Sequence, residues 1–362
     1  MISIIYPYRN RDIQRIKKSL ESLQLQSNMA FEVFFVNYGS DENHTQNVEI
    51  LLENFSFVNY SYLYTKLQPW NKSKALNSVL KTLKSDYFFV ADVDMIFDSN
   101  FIETALQLSK NKEVWYFQVG FLSQEETEFE KNFEDYTIKF KSNNEATGLT
   151  LCPVEAARTI NGFDEFYHFW GSEDTDFHVR LKNSGYKVNF YDDRILMLHQ
   201  CHKIYRSKET KFLTQDLQIS GIVQFNHQYL KKAIQENKTV VNNDDWGEVI
   251  QGKDHFNQLA AYASGNSKQI SNKRVDIDYL LYQELPNLKK GFHAFEIKES
   301  DNKVSLKKAI KARIKKNKNE FYSLKSVNDK LLFHFINFYR NHSYNYSVSE
   351  DLKSIKFAIN KL

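Results

Sequence analysis

Short apolar runs alternate with helix-period segments through the first part of the chain, and this alternation limits the fold more than any other feature. Ile2–Tyr6, Phe31–Val36, Val58–Tyr64 and the run that opens at Tyr87 have the length and the aromatic or β-branched content of buried strands. The first of them is expected to stop at Pro7. Between the runs, Ile13, Ile16, Leu20 and Leu23 recur at helical spacing, as do Val48, Leu51, Leu52 and Phe55. Ala75, Leu76, Val79, Leu80 and Leu83 form a third such face. Strands and helices alternating in this way predict an α/β fold, a mostly parallel sheet with helices on both faces.

The stretch Tyr87–Phe97 begins as an apolar run of the length and composition of a buried strand and then ends in two carboxylates one residue apart, Asp92 and Asp94. In open α/β sheets ligands bind beyond the carboxyl ends of the strands. Two acids there can share a divalent ion, which in turn can hold a diphosphate. Taken alone, Asp-x-Asp is equally an ordinary acidic turn.

Further along, a helix near Phe101–Leu108, a strand near Val114–Phe121 and a strand over Thr147–Cys152 are expected. Ser123–Asn144 is charged and aperiodic, as a functional or mobile loop would be. Short strands are expected at Lys187–Tyr191 and Ile195–His199, and from about Thr214 the chain reads as helical. This divides the 362 residues into 1–213, holding the chemistry, and a mainly helical region, 214–362.

Composition narrows the class. A net charge of +3 gives no global reason to bind nucleic acid. Gly and Pro, at 11 and 4, are too few for a low-complexity chain. Cys152 and Cys201 form neither a disulfide framework nor a zinc pattern, and no charged n-region follows Met1. A cytoplasmic setting is the expectation.

Three further stretches carry chemistry. Pro7-Tyr8-Arg9-Asn10-Arg11 offers forked donors for phosphate beside an aromatic ring, though a solvated loop has the same composition. Trp70-Asn71-Lys72-Ser73-Lys74 opens a helix, where backbone N–H groups and lysines suit an anion. Phe169-Trp170-Gly171-Ser172-Glu173-Asp174-Thr175-Asp176 places acids in the first turn of a helix that ends before Gly185. A carboxylate next to Trp-Gly is a candidate base, while helix-start acids are also commonplace. His199 and His202 supply imidazoles that could complete a metal site begun by Asp92 and Asp94.

In this order the motifs resemble the inverting, family 2-like nucleotide-sugar glycosyltransferases of the GT-A fold, nearest the β-1,4-galactosyltransferase and bacterial chondroitin-polymerase types. The resemblance covers roughly Ile2 to His202. It implies that Pro7, Tyr8, Arg9 and Arg11 hold the uridine and diphosphate of a UDP-sugar, with Lys72 and Lys74 on the donor side. It implies that Asp92 contacts the ribose and metal, and that Asp94 and His199, or His202, ligate Mn²⁺ or Mg²⁺. Trp170 would line the sugars, Asp174 would be the base and Glu173 would bind the acceptor. Asn37-Tyr38 replaces the Asp usual before Gly-Ser, which affects the uracil contact. The implied activity is transfer of galactose, glucose or an N-acetylated form to a glycan or lipid-linked glycan in bacterial polysaccharide synthesis. A nucleotidyltransferase is disfavoured because Tyr6–Arg11 has no Gly, and a non-catalytic scaffold because all four acids are present.

Outside the resemblance, Lys303–Lys318 is basic without an acid, and Leu306, Ile310 and Ile314 fall four apart. A helix there suits peripheral contact with the inner, anionic face of a membrane, or packs with a solvated basic face.

Overall fold

The computed structural model of the chain describes residues 1–202, 211–299 and 320–361. The basic segment Lys303–Lys318 therefore lies outside the described residues. Among the described residues, no helix is long and apolar enough to cross a membrane. The chain forms two compact units, and each is described by itself.

The first unit comprises Met1–Lys66, Trp70–Ser207 and Ile222–Val249. Its elements run β1 (Ile2–Tyr8), α1 (Ile13–Gln24), β2 (Phe31–Asn37), α2 (Glu42–Leu52), β3 (Val58–Tyr62), α3 (Lys72–Leu80), β4 (Tyr87–Val90), β5 (Met95–Phe97) and α4 (Phe101–Ser109). They continue with β6 (Val114–Phe117), β7 (Gly120–Leu122), α5 (Gln124–Glu128), β8 (Ile138–Lys141), β9 (Thr150–Pro153), α6 (Val154–Thr159), α7 (Glu173–Asn183), β10 (Val188–Tyr191), β11 (Met197–His199) and α8 (Ile222–Gln235).

Seven strands form the main sheet in the order β10-β6-β9-β4-β1-β2-β3. All neighbours are parallel except β9, which is antiparallel to both β4 and β6. The expected mostly parallel α/β sheet is thus present. β1 lies inside it, between β4 and β2, with every residue buried. Ile2, Ile4 and Tyr6 enter a core with Ile16 and Leu20 of α1, Val48 of α2 and Phe101 of α4. Ile5, Phe88 and Val90 enter a second core with Leu76 of α3, Ala157 of α6, and Phe177 and Leu181 of α7. The strand period of two therefore feeds helices on both faces. Complete burial of a side chain such as Phe177 or Leu181 contributes about 1.5–3 kcal/mol. β1 continues through Pro7 to Tyr8, past its expected end. Proline is tolerated there because the pairing with β4 has already ended at Ile5↔Val90.

Tyr87–Phe97 is not one strand. β4 stops at Val90, the backbone crosses through Ala91–Asp94, and β5 joins a second sheet of order β5-β11-β7-β8. The segment Ser123–Asn144, read as a loop, supplies α5 and the edge strand β8 to that region. Val114–Phe121, read as one strand, is divided between the two sheets as β6 and β7.

The second unit comprises Leu67–Pro69, Lys208–Gly221 and Ile250–Leu362. It contains α9 (Lys253–Asn266), β12 (Lys268–Ser271), α10 (Arg274–Tyr279), β13 (Gly291–Lys298), α11 (Leu324–His334), β14 (Ser343–Val348) and β15 (Ser354–Lys361). A four-stranded sheet, β12-β13-β15-β14, accompanies the expected helices. Its signal is local: Ile355, Phe357 and Ile359 alternate into the core, and Phe295 and Ile297 face them in antiparallel register. Ile222–Val249 groups with the first unit, beyond the boundary expected at 213.

Candidate active site

The crossing from β4 to β5 puts Asp92 and Asp94 on different supports. Asp94 immediately precedes β5, and β11 pairs antiparallel with β5 so that His199 lies opposite Met95. The ladder extends one step further, with the Gln200 N–H donating to the Asp94 carbonyl at 3.2 Å. Register alone therefore brings His199 to Asp94 across about a hundred residues of chain. His202 Nε2 lies 2.9 Å from Asp94 Oδ2, and His199 Nε2 lies 3.8 Å from Asp94 Oδ1. One ligand atom from each of the three residues falls within 4.8 Å of the others. The sequence left His199 and His202 as alternatives; the structure brings both.

These donors fit a divalent cation. Asp94 Oδ1 and His199 Nδ1 are buried and have no hydrogen-bond partner among the described residues. Burial alone would raise the Asp94 pKa, but His199, His202 and Arg11 outweigh it and hold the carboxyl below the ordinary range. A carboxylate with two imidazoles suits Mn²⁺ or a similar first-row ion. Asp92 is not among the three.

Asp92 instead belongs to a second cluster, built around one ammonium. Lys72 is the first residue of α3, whose N-cap Asn71 accepts from the Lys74 N–H. Lys72 Nζ lies 3.2 Å from Asp174, 3.6 Å from Asp92 and 3.9 Å from Glu173. Burial works against its charge, yet Asp174, Asp92 and Glu173 hold its pKa above the ordinary lysine value. Burial also raises Asp174; Lys72 opposes this, Glu173 and Asp92 reinforce it, and the pKa is pushed up to about 8. A carboxyl poised there has the proton affinity of a general base.

The backbone that delivers these acids is strained. Phe169, Gly171 and Ser172 all have positive φ, at 65°, 103° and 77°. The turn closes on Glu173, which accepts from the Gly171 N–H at 3.0 Å, and is braced by Asn226 of α8 donating to the His168 and Trp170 carbonyls. It leaves Trp170 41% exposed beside the acids, a large ring at the surface where a flat ligand can meet it. Gly148 approaches from the other side: a Cβ there would stand 3.3 Å from Asp174 Oδ2.

Comparison with known proteins fits this geometry. Residues 3–159 match the model of glycosyl transferase family 2, and residues 127–206 match that of the N-terminal domain of galactosyltransferase. Over these residues the chain is similar to glycosyltransferases. The chain is 27% identical over 141 residues to beta-1,4-galactosyltransferase 5 of Sus scrofa, covering 38% of this chain and 32% of that protein. It is 23% identical over 344 residues to Protein Ycf2 of Marchantia polymorpha, covering 92% of this chain and 14% of that one. The chain thus spans a third or less of the length of these relatives. Among solved structures, it is similar to S. aureus TarS 1–349, with TM-score 0.46, 14% identity, and coverage of 96% of this chain and 94% of that. It is also similar to GalNAc-T7, whose crystal structure holds UDP, GalNAc and Mn²⁺, with TM-score 0.48, 13% identity, and coverage of 66% and 50%.

The structure distributes the remaining expected site residues unevenly. Arg11 lies close enough to stabilise Asp94 and, with Tyr8 and His44, lines a cavity of about 180 Å³ at the carboxyl end of β1. Tyr8 is buried, as is Pro7 beside it in β1. The Arg9 guanidinium donates to the carbonyls of Gly39 and Thr65 and sits 5.3 Å from the Tyr38 ring centroid, so it braces the loops after β2 and β3. Gly39, with φ +70°, is required there, because a Cβ would lie 2.2 Å from Lys66 N. Asn37, in the place of the usual acid, is buried and donates to Thr45 and Tyr60. Lys74 turns to Glu165 at 2.7 Å, and the Glu165 carboxylate also accepts from Asn77 and the Gly247 N–H. That network is part of the buried frame, so the two lysines of one motif have separate tasks. Gly148 and Asn226 were not found from sequence: a lone Gly and a helical Asn carry no pattern of their own.

Proposed function

We propose that this glycosyltransferase moves a sugar from a UDP-sugar to a glycan hydroxyl with inversion at the anomeric carbon, in the manner of the galactosyltransferases it resembles. The observation that carries the reading is Lys72, whose ammonium lies within 3.9 Å of Asp92 from one motif and of Glu173 and Asp174 from another. One site therefore contains both the donor-side and the base-side acids.

Asp94, His199 and His202 would hold a divalent ion, read as Mn²⁺ or Mg²⁺, and Arg11 stands beside them. When bound, such an ion offsets charge on a leaving diphosphate. Asp174, raised to about 8, accepts the proton of the acceptor hydroxyl as that oxygen forms its bond to the anomeric carbon. The bond from that carbon to the diphosphate breaks on the opposite face, its electron pair leaves with UDP, and no covalent enzyme intermediate forms. Glu173, fixed by the Gly171 N–H, is placed to orient the acceptor, and the exposed Trp170 to cover a sugar ring. The choice of UDP follows the Pro-Tyr-Arg-Asn-Arg resemblance. Bacterial surface polysaccharide is proposed as the setting, and a glycan or lipid-linked glycan as the acceptor, on the resemblance to the chondroitin-polymerase type.

UDP release, measured with a panel of UDP-sugars and glycan acceptors in the presence of Mn²⁺, tests this. Acceptor-stimulated release that is lost in Asp174→Asn is expected. No release with any donor, or equal release by the variant, would overturn it.

A further inference from the structure

Three carboxylates share one ammonium at the candidate active site. Lys72 is closest to Asp174, at 3.2 Å, with Asp92 and Glu173 a few tenths of an ångström further away. Lys72 is 12% exposed and Asp174 15%, so little water screens the pair. A lysine ammonium is a compact charge with rotatable donors on a flexible stem, able to exchange one anion for another without refolding the site. A nucleoside diphosphate brings more negative charge to the cluster than any single carboxylate.

We propose that Lys72 is shared in time between Asp174 and the diphosphate of the donor. With the donor absent, the ammonium occupies Asp174; when the diphosphate arrives it draws the ammonium away, and the base is free for the acceptor hydroxyl. This rests on the UDP-sugar reading given above. The exchange makes Asp174 a competitor of the diphosphate, and the two effects are reciprocal by linkage.

The test is a double-mutant cycle read as UDP affinity by titration calorimetry with saturating Mn²⁺, above pH 8 where the Asp174 carboxyl is ionised. In the native background, Asp174→Asn removes the competitor and is expected to tighten UDP binding by at least about fivefold. In Lys72→Gln the same substitution is expected to change UDP affinity by less than about twofold, within the scatter of independent sites. Lys72→Arg, which keeps the cation, is expected to retain the coupling. Lys72→Met serves in place of Lys72→Gln if that variant loses its cooperative thermal transition. Equal tightening with and without the Lys72 charge would mean simple through-space repulsion and overturn the proposal, as would no tightening in the native background. A native protein that does not bind UDP with Mn²⁺ would overturn the donor assignment itself, whereas UDP binding without coupling defeats the Lys72 exchange alone.

Discussion

Asp174 and Asp176 stand two residues apart on α7, and their countercharges are held in different ways. Asp176 is fully buried and has a cation to itself: Arg180, at i+4, donates to it at 2.6 Å, and Tyr167 adds a hydroxyl at 3.3 Å. Arg180, fully buried as well, also donates to the Ile160 and Gly162 carbonyls. That pair ties the helix to the turn that precedes it. Burial raises the proton affinity of both carboxyls; at Asp176 the Arg180 guanidinium opposes it, whereas Asp174 shares one ammonium with Asp92 and Glu173, whose charges add to the rise. One turn of helix thus carries a carboxylate for architecture and the proposed base, and what separates them is whether the countercharge is private or shared.

The comparison breaks first at Asp174. Replacing it by Asn is expected to lower turnover by about 10²–10⁴-fold with no loss of thermal stability. Its pH behaviour sharpens the point. The active form is the deprotonated one, so kcat/KM is expected to rise with pH until Asp174 loses its proton near 8. Stability should run the other way. The folded carboxyl keeps its proton from the ordinary value of 3.8 up to about 8 while the unfolded one has lost it, so this group makes the fold less stable as pH rises through that window. Denaturation of Asp174→Asn across that range is expected to show a flatter pH dependence.

Asp176→Asn should do the reverse. Leaving Arg180 buried without its partner is expected to cost about 3–5 kcal/mol, read by denaturant unfolding. Wild-type stability in this variant would mean that the pair is not the anchor described.

At the metal group, His199→Ala and His202→Ala are each expected to weaken Mn²⁺ binding by at least the roughly 10–100-fold that loss of an outer-shell partner brings. Mn²⁺-dependent thermal shift measures it. If one substitution leaves the shift intact, that histidine is not a ligand.

The smallest effect is expected at Gly148→Ala. Its new methyl would press on Asp174 from 3.3 Å, displacing the base by a few tenths of an ångström. A roughly severalfold loss of kcat with unchanged stability is expected from steady-state kinetics.

Much of this was legible in the residues, for physical reasons that differ from place to place. Helix and strand periods report on burial, so the central sheet and its flanking helices could be read from Ile2 to Leu83. The acids of α7 could be found as a helix start, but not sorted: Asp176 and Arg180 are merely an i, i+4 pair until the fold removes water from both. Asp92 and Asp94 look equivalent in a line of letters, and only the exit of the chain from one sheet into another separates them. Lys72 and Lys74 likewise look alike, and burial against Glu165 tells them apart. The sheet of the second unit was missed because the alternation of Ile355, Phe357 and Ile359 is short and follows long helical stretches.

The register that sets His199 opposite Met95 also has a meaning in time. Chains emerge from the ribosome N-terminus first, at about 5–20 residues per second. At that pace Asp94 is synthesised roughly 5–20 s before His202. Through that interval the nascent protein owns a single carboxylate of the triad, too few donors to capture a transition metal. The centre comes into being only when β11 is added to β5, after the sequence supplying the surrounding sheets has already been synthesised.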